Sequence, residues 1–599
     1  MRWRLLVVTL LTATAASGCI SVPTAGPVEQ VEPRGAESDF LVQVVPSGPE
    51  PGASPEEVVG GWLTAMKAFP VSTDVARAYL TDEAAQAWAP ERRTSIYSTV
   101  SVVDSDSGAV QLRSRQVAEL SARGAYRPVS ANTAESTVSL RLTQTGAGWR
   151  IVDPPNAAML SVQFFEEYYR PFDLYFFDPA GEVLIPDPVW LPLGDQLPTQ
   201  LARGLLAGPT PWLRGQAVTA LSAAAAGVSA PVRSDGVADV QLSEQAANLS
   251  GPQRVQLSAQ LAWTLSQVTG LAGVRLRVNG APLDVPDADA LQTIESWQRF
   301  APSGPATRAQ LFGLRRGDLV AVDSEAVTPV SGWWGDNRLR LTDFSVERTL
   351  QRVAAVTGGR RLLVGDYVAA DRSALHTWYV SPESTSKLRD PQWDRAGKLW
   401  VLDAGADRAS LVVSGRGGSR SIPIGQLARA GIDSFEVSPD GARVAALVDR
   451  WRGPYRGGAE PANARSPVLV IARVVRAADQ RTVRRLDKAY AVPVSQTGLR
   501  EMTSPGWGAP SEVGVLGRVG DLAPQVYRLA IDGSSVEGAA LTGEALLGPV
   551  GADELADTGV ATAQTVIGTR NGRLYVLDSE SEWSRLGAAN EIVHPGHPD

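Results

Sequence analysis

Two short stretches of the sequence decide the fold class of its C-terminal half. Gly397-Lys398-Leu399-Trp400-Val401-Leu402-Asp403 recurs 175 residues later as Gly572-Arg573-Leu574-Tyr575-Val576-Leu577-Asp578. Residues 439–446, PDGARVAA, align with the first copy at Gly441, 44 residues after Gly397. Four steps of about 44 residues account for the separation of the two copies. A period near 44 with a tight turn between two β runs is typical of a four-stranded propeller blade.

Further units of the same kind follow Trp393 and Trp507, and residues 305–590 leave room for about six blades. We expect the apolar run after each turn to form the buried inner strand of its blade. An array of two-sheet β-sandwiches is the alternative, but the repeat length favours a propeller. Residues 301–599 are therefore predicted to form an all-β propeller domain of about six blades.

The N-terminus predicts export and lipid attachment. Residues 1–19, MRWRLLVVTLLTATAASGC, have two arginines, a short apolar run and small residues before Cys19, the single cysteine. The run is too short for a transmembrane helix. The segment resembles a bacterial lipoprotein signal, in which the cysteine receives the lipid; the alternative is an ordinary signal peptide with an incidental cysteine. We assign residues 1–18 to the signal peptide and 19–53 to a lipidated tether, whose Asp39–Val45 run is predicted to dock as a strand.

Residues 54–157 are predicted to form an α+β domain. Ser54-Pro55-Glu56-Glu57 is a capping box that starts a helix, and a second helix is expected over Asp74–Trp88. Turn-punctuated β segments follow and end in Gly148-Trp149-Arg150-Ile151. This arrangement resembles the NTF2-like cone, which in some proteins holds a ligand. We interpret its helical aromatic residues as core, since apolar stripes at helical spacing normally face a core; these are Trp62, Tyr79 and Trp88.

Residues 158–300 alternate strand and helix patterns. A helix over 197–206 should stop at Gly208-Pro209, and an Asn279-Gly280 hairpin should close the region. The motifs LLAGP, VQLS, AQLAWTL and VRLRVNG resemble the GerMN domain, a small α/β module of bacterial envelope proteins. Gln260 and Thr264 lie one helical turn apart. We expect them to cap backbone groups, with ligand binding as the alternative.

Composition excludes several classes of function. The chain has 599 residues, a net charge of −8, one cysteine and three histidines. A single cysteine allows no intramolecular disulfide and no Cys₄ or Cys₂His₂ zinc site, and an acidic chain is a poor nucleic-acid binder. His594 and His597 lie near an end that we expect to be frayed, and His376 has no nucleophile motif beside it. We therefore assign no catalytic residue, no metal and no cofactor, although paired carboxylates for glycoside cleavage can come from distant residues.

A basic stretch provides the candidate binding residues. Residues 443–488 contain eleven basic and four acidic side chains, and a loop at 451–458 is longer than a hairpin needs. Long propeller loops are common partner sites, whereas charge runs are commonly solvated surface. We predict contact with an acidic partner or an anionic envelope polymer through six residues: Trp451, Arg452, Tyr455, Arg456, Arg484 and Arg485.

A lipid anchor, an NTF2-like domain, a GerMN-like domain and a propeller, in this order, resemble the actinobacterial lipoprotein LpqB family across essentially the whole chain. The resemblance implies a non-enzymatic accessory protein on the extracytoplasmic face of the cell membrane. It also implies binding to the extracytoplasmic sensor region of an MtrB-type histidine kinase, with effects on two-component signalling, envelope homeostasis and division. The alternatives are a propeller hydrolase, which predicts carboxylates converging at the central channel, and a glycan-binding protein.

Overall fold

A computed structural model describes most of the chain after the tether. The described residues are 42–104, 109–129, 135–221, 227–304, 310–336, 338–456, 467–493, 499–534, 549–557, 564–577, 582–587 and 589–598. Cys19 and the signal peptide lie outside them. Of the predicted docking strand, the described part contributes Val44, which pairs with Phe69 through two backbone hydrogen bonds of 3.0 Å. Within these ranges, no helix is long and apolar enough to cross a bilayer.

The N-terminal domain packs helices against one curved sheet. Its helices are α1 (Pro55–Ala65), α2 (Asp74–Arg77), α3 (Asp82–Ala87) and α4 (Val162–Tyr168), and its strands are β1 (Arg93–Asp104), β2 (Ala109–Ser121), β3 (Tyr126–Pro128), β4 (Glu135–Thr145), β5 (Gly148–Ile151) and β6 (Ala158–Ser161). The sheet order is β5-β4-β2-β1-β6, with β3 beside β2. The predicted capping box is present at Ser54 and Glu57. Trp62, Tyr79 and Trp88 are buried, which confirms that they belong to the core.

The single helix predicted over Asp74–Trp88 is wrong. The chain breaks between α2 and α3, where the Tyr79 carbonyl and the Thr81 amide bond to Ile151 at the edge of the sheet, each at 3.0 Å. Thr81 then caps α3 by accepting the Ala84 amide. The edge strand thus competes with the helix for these backbone groups, a non-local contact that helical spacing does not report.

The GerMN-like domain combines two small sheets with two helices. Its elements are β7 (Tyr169–Phe177), β8 (Leu184–Pro192), α5 (Leu197–Leu206), β9 (Val237–Leu242), α6 (Gly251–Leu265), β10 (Gly273–Val278) and β11 (Ala281–Pro282). Strands β7 and β8 form an antiparallel hairpin, and β9 lies parallel to β10. The predicted helix stop is confirmed at Gly208, which has a φ of 83°. Asn279 and Gly280 both have positive φ, as a tight turn between β10 and β11 requires.

Gln260 and Thr264 hold this domain together from inside. The Gln260 side chain accepts the Ala220 amide and donates to the Tyr175 carbonyl, both at 3.0 Å. Thr264 accepts the Tyr175 amide at 3.1 Å. Both side chains are fully buried. The capping role predicted for them is therefore confirmed: they tie α6 to β7.

The described C-terminal residues form a propeller of six sheets, which confirms the predicted fold class. Blade 1 contains β12 (Leu311–Arg315), β13 (Asp318–Val322), β14 (Val327–Pro329) and the last strand, β34 (Ile592–Gly596); blade 2 contains β15 (Leu341–Val346), β16 (Arg352–Thr357), β17 (Arg361–Asp366) and β18 (Leu375–Val380); blade 3 contains β19 (Lys387–Trp393), β20 (Leu399–Ala404), β21 (Ala409–Gly415) and β22 (Gly418–Ile422). Blade 4 contains β23 (Ile432–Val437), β24 (Arg443–Val448), β25 (Val468–Arg476) and β26 (Val483–Ala491); blade 5 contains β27 (Leu499–Ala509), β28 (Glu512–Val519) and β29 (Gln525–Ala530); blade 6 contains β30 (Ala552–Ala556), β31 (Val566–Thr569), β32 (Leu574–Leu577) and β33 (Trp583–Arg585).

Strand β34 closes the ring, and this corrects the prediction of a frayed C-terminus. It pairs with β12 as the innermost strand of blade 1, so one blade contains both ends of the propeller sequence. His594 lies within this strand. Closure joins segments almost 300 residues apart, and so a local reading of the last residues could not reveal it.

The repeat that predicted the propeller occupies two different positions. Gly397 and Gly441 both stand in the turn between the first and second strands of a blade, whereas Gly572 lies between the second and third strands of blade 6. The apolar run after Gly397 or Gly441 is the second strand, buried between neighbouring blades; the innermost strand precedes the turn. The motif therefore encodes a tight turn followed by a buried strand, and it occurs at two of the three turns of a four-stranded blade.

Candidate functional site

The predicted binding loop is partly an internal anchor. The side chains of Trp451 and Tyr455 are only 6 % and 7 % exposed and belong to the core around blade 4. The Trp451 indole donates to the Pro454 carbonyl at 3.2 Å, and Tyr455 pairs through its backbone with Ala491. These two aromatic residues therefore shape the loop and do not present a contact surface.

Arg456 joins the loop to the N-terminal domain. Its guanidinium donates to the Tyr126 carbonyl at 3.2 Å and lies over the Tyr490 ring, 4.9 Å from the centroid. The predicted role of Arg456 in contacting an external partner thus has an intramolecular competitor. Its neighbour Arg452 is exposed.

Arg484 and Arg485 are exposed at the other end of strand β26 from the loop. Arg485 pairs with Asp487 at 3.2 Å. Tyr455 pairs with Ala491, six residues beyond Arg485, which corresponds to about 20 Å along an extended strand. The structure does not bring the six predicted residues into one cluster, and it leaves Arg452, Arg484 and Arg485 as the accessible cations.

Other arginines of the basic stretch hold the GerMN-like domain on the propeller. Arg443 is 1 % exposed, pairs with Asp440 at 3.0 Å and donates to the Pro186 carbonyl in β8. Arg473 pairs with Asp487 at 2.8 Å and donates to the Trp212 and Arg214 carbonyls at 2.8 and 3.0 Å. A cation inside a buried strand needs such partners. The signal available in the sequence was Arg443 at the head of the apolar run RVAALV.

Two carboxylates lie on the GerMN-like side of this interface: Asp187 is buried and bonds within its own domain, and the half-buried Asp173 bonds to the propeller. Asp187 accepts the Thr210 amide at 2.6 Å and the Thr210 hydroxyl at 3.0 Å. Asp173 accepts a hydrogen bond from the Ser511 hydroxyl of the propeller. Burial raises the pKa of both carboxyls, that of Asp173 to about 6. This interface is therefore polar, with side chains of the propeller bonded to groups of the GerMN-like domain.

A second charged cluster surrounds the propeller axis. Asp343 accepts the Asp390 amide at 2.7 Å, and Asp390 accepts the Phe435 amide at 3.1 Å. Glu554 accepts the His594 amide at 2.7 Å and pairs with the imidazole Nδ1 at 3.0 Å. Each of these bonds runs from one innermost strand to the next, so the carboxylates join blades 2 to 3, 3 to 4 and 6 to 1.

The electrostatics of the axis follow from burial and from neighbouring charges. Burial raises the pKa of Asp343 and of Asp390, and the Asp343 charge helps to bring that of Asp390 to about 7. Burial opposes the charge on His594, but the hydrogen bond to Glu554 and the charges of Asp343 and Glu554 outweigh it and raise the histidine pKa to about 9. A charged imidazole therefore stands among the carboxylates at neutral pH.

The axis meets one expectation of the hydrolase alternative, because acidic side chains do converge there. The oxygens of these carboxylates, however, accept hydrogen bonds from backbone amides and from His594. Their role is therefore to join neighbouring blades. Across the described ranges, no group of three or more His, Cys, Asp or Glu side chains could hold a metal ion. His376 is exposed on β18, as the sequence led us to expect.

Comparison with known proteins assigns the three domains. The family profile described as "Lipoprotein LpqB, N-terminal domain" matches residues 48–166. The profile "Sporulation and spore germination" matches residues 173–284, and "Lipoprotein LpqB beta-propeller domain" matches residues 317–598. Together these matches follow the three folded domains in order.

Relatives match most of the chain. Lipoprotein LpqB of Thermobifida fusca is 27 % identical over 98 % of this chain and 98 % of its own length. Lipoprotein LpqB of Cutibacterium acnes is 28 % identical over 87 % of this chain and 88 % of its own length. Among solved structures, the first GerMN domain of the sporulation protein GerM from Bacillus subtilis is 23 % identical; it covers 20 % of this chain and 97 % of that chain, with a TM-score of 0.18.

The chain is thus a multidomain protein that carries an N-terminal α+β domain and a GerMN-like domain on a C-terminal β-propeller. It belongs to the lipoprotein LpqB family. Membership in a lipoprotein family implies attachment to a membrane through a lipid.

Proposed function

We propose that this protein is an accessory lipoprotein, anchored through Cys19 on the extracytoplasmic face of the cell membrane, that binds and modulates the sensor region of an MtrB-type histidine kinase. Through the kinase it would influence two-component signalling, envelope homeostasis and cell division. The observation that carries the proposal is family membership across all three domains. The signal-like segment that ends in the single cysteine supports the anchor.

The geometry supports binding over catalysis. At the axis, the half-buried carboxylates are engaged with backbone amides and with His594. At the domain interface, buried arginines are engaged with carbonyls of the GerMN-like domain. Such contacts fix the domains relative to one another, which suits a rigid adaptor that presents its surface to a partner. The proposal therefore includes no enzymatic activity and no cofactor.

The first test is crosslinking of the full-length protein in membranes, followed by identification of the captured partner. We expect the extracytoplasmic region of a histidine kinase. Capture of envelope polysaccharide without a kinase would instead favour the glycan-binding alternative.

The second test addresses the surface that binds. Because Arg452, Arg484 and Arg485 are the accessible cations of the predicted set, changing all three to Glu should weaken capture of the kinase at least fivefold. The matched control changes Arg361, Arg372 and Arg416 to Glu, three exposed arginines on blades 2 and 3. Equal capture by both triple variants would show that the basic surface of blade 4 is not the contact.

The anchor has a separate test. Cys19→Ala should release the protein from the membrane fraction, since one residue provides the lipid attachment site. Continued membrane association after this change would refute the anchor while leaving the kinase proposal open to the crosslinking result.

A further inference from the structure

A cleft of about 320 Å³ lies where the N-terminal domain meets blade 4 of the propeller. One wall comes from the end of β2 and the turn to β3, including Glu119 and Tyr126; the other comes from Arg456 and Tyr490. Small-molecule sites usually measure about 300–1,000 Å³ and favour domain boundaries. The cleft therefore has the position of a ligand site and a volume at the lower end of that range.

The walls of the cleft are aromatic and fixed in place. The Tyr126 ring packs against Phe165 and Trp190, with centroids 6.3 and 5.7 Å away. The Tyr490 hydroxyl donates to the Ile531 carbonyl at 2.8 Å, and Trp212 contacts its ring edge-on at 5.8 Å. Because other residues hold both tyrosines, the cleft offers a preformed apolar surface.

The charges in the cleft favour an anion. Arg127 and Glu119 neutralise each other in a 2.9 Å ion pair. Among the described lining residues, this leaves the guanidinium of Arg456 as the charge without an ion-pair partner in the cleft wall, although buried Asp187 behind it feels its charge. A guanidinium has five N–H donors, and Arg456 uses two of them, one on the Tyr126 carbonyl and one on the Tyr490 hydroxyl. The remaining donors can bind a carboxylate, sulfonate or phosphate in the paired geometry that arginine favours.

We propose that this cleft binds a small organic anion, with its apolar part against Tyr126 and Tyr490 and its acidic group on Arg456. The bound anion would contact the N-terminal domain and the propeller together. This site is separate from the exposed arginines assigned to the kinase, so either proposal can fail without the other.

The test uses two fluorescent probes that differ in one group. 8-Anilinonaphthalene-1-sulfonate carries an aromatic body and a sulfonate, whereas N-phenyl-1-naphthylamine has the same body without the charge. We expect the sulfonate probe to bind the full-length protein saturably at one site. Arg456→Gln should weaken it at least tenfold and change binding of the neutral probe by less than twofold.

Two further variants guard against misfolding, since Arg456 also contacts the N-terminal domain. Glu119→Gln removes a negative charge from the rim and should tighten sulfonate binding or leave it unchanged. Arg361→Gln changes an exposed arginine on blade 2, outside the cleft, and should have no effect. Unchanged sulfonate affinity in Arg456→Gln, or equal losses for both probes, would overturn the proposal, as would weaker sulfonate binding in Glu119→Gln.

Discussion

The domain interface and the propeller axis both withdraw charge from solvent, and the side chains that bond to backbone groups across each boundary are cations at the interface and carboxylates at the axis. At the interface, Arg443 and Arg473 donate to carbonyls of the GerMN-like domain. At the axis, Asp343, Asp390 and Glu554 accept amides of the neighbouring blade. In each region the charged side chain has the sign that the adjacent backbone groups require.

The difference teaches that the sign of a buried charge reports the backbone it meets and need not indicate a ligand. Loops and strand ends of the GerMN-like domain point carbonyls at the propeller, so cations satisfy them. The innermost strands have register shifts that leave some amides pointing toward the neighbouring blade. Carboxylates of that neighbouring blade accept these amides. An unpaired buried polar group would cost about 1–3 kcal/mol.

The largest expected effect tests the interface. Arg443→Met removes the partner of the buried Asp440 and leaves that carboxylate uncompensated. Breaking a buried pair from one side typically costs about 3–5 kcal/mol, and we expect a clear drop in the thermal unfolding midpoint. Adding Asp440→Asn should recover part of the loss, because the stranded charge is then removed as well. An unfolding midpoint equal to that of the wild type in the single variant would contradict the role assigned to Arg443.

The axis should respond less, and in a way that depends on the replacement. Asp390→Ala leaves the Phe435 amide without its acceptor and should cost about 1–3 kcal/mol. Asp390→Asn keeps a hydrogen-bond acceptor and removes the carboxylate charge. Because burial raises the pKa of Asp390 to about 7, the folded protein disfavours that charge at pH 8, and the substitution should leave stability unchanged or increase it. Denaturant unfolding at pH 8 measures both. Equal losses in the two variants would show that the carboxylate acts by its charge and not as an acceptor.

A smaller effect is expected from His594 in the closing strand β34, whose ionisation should make the stability of the protein depend on pH. The pKa of His594 is raised to about 9 in the folded protein, against about 6.5 in an unfolded chain. The stabilisation that the charged His594 provides through Glu554 is thus fully present below about pH 6.5 and is lost as the pH rises through 9. The pair is partly exposed, so we expect no more than about 1 kcal/mol and a midpoint shift of roughly 2 °C.

The check on His594 is thermal unfolding at pH 6 and at pH 9.5. His594→Gln should remove this part of the pH dependence and leave the rest. If the variant lost as much stability as the wild type over that interval, other groups would account for the change.

The smallest effect is expected at the exposed cations. Arg452→Ala and Arg484→Ala should change stability by less than about 0.5 kcal/mol, since surface side chains gain little from folding. The same thermal scans provide the measurement. A loss comparable to that of Arg443→Met would mean that these arginines also hold the domains together.

Sequence reading succeeded where the signal was local. The capping box at Ser54, the Asn279-Gly280 turn and the turns at Gly397 and Gly441 each specify backbone conformation within a few residues. It failed where distant backbone groups compete, as in the helix broken between Arg77 and Asp82.

The candidate binding site shows the same contrast between local signals, which the sequence reveals, and distant contacts, which it does not. The basic stretch was identifiable from composition, but its split into docking and exposed arginines was not. Arg443 and Arg484 lie in the same run of charges, yet one is buried against another domain and the other faces solvent.

The sequence by itself determined the order of the domains, the propeller class and the candidate lipid attachment site, because turns, caps and apolar periods act over short distances. Only the tertiary structure decided that the last strand closes the ring, that carboxylates join the blades, and that arginines of blade 4 hold the other two domains. Those features depend on groups that lie between 40 and 330 residues apart, and the energy of a buried charge is set by the partners that folding brings to it.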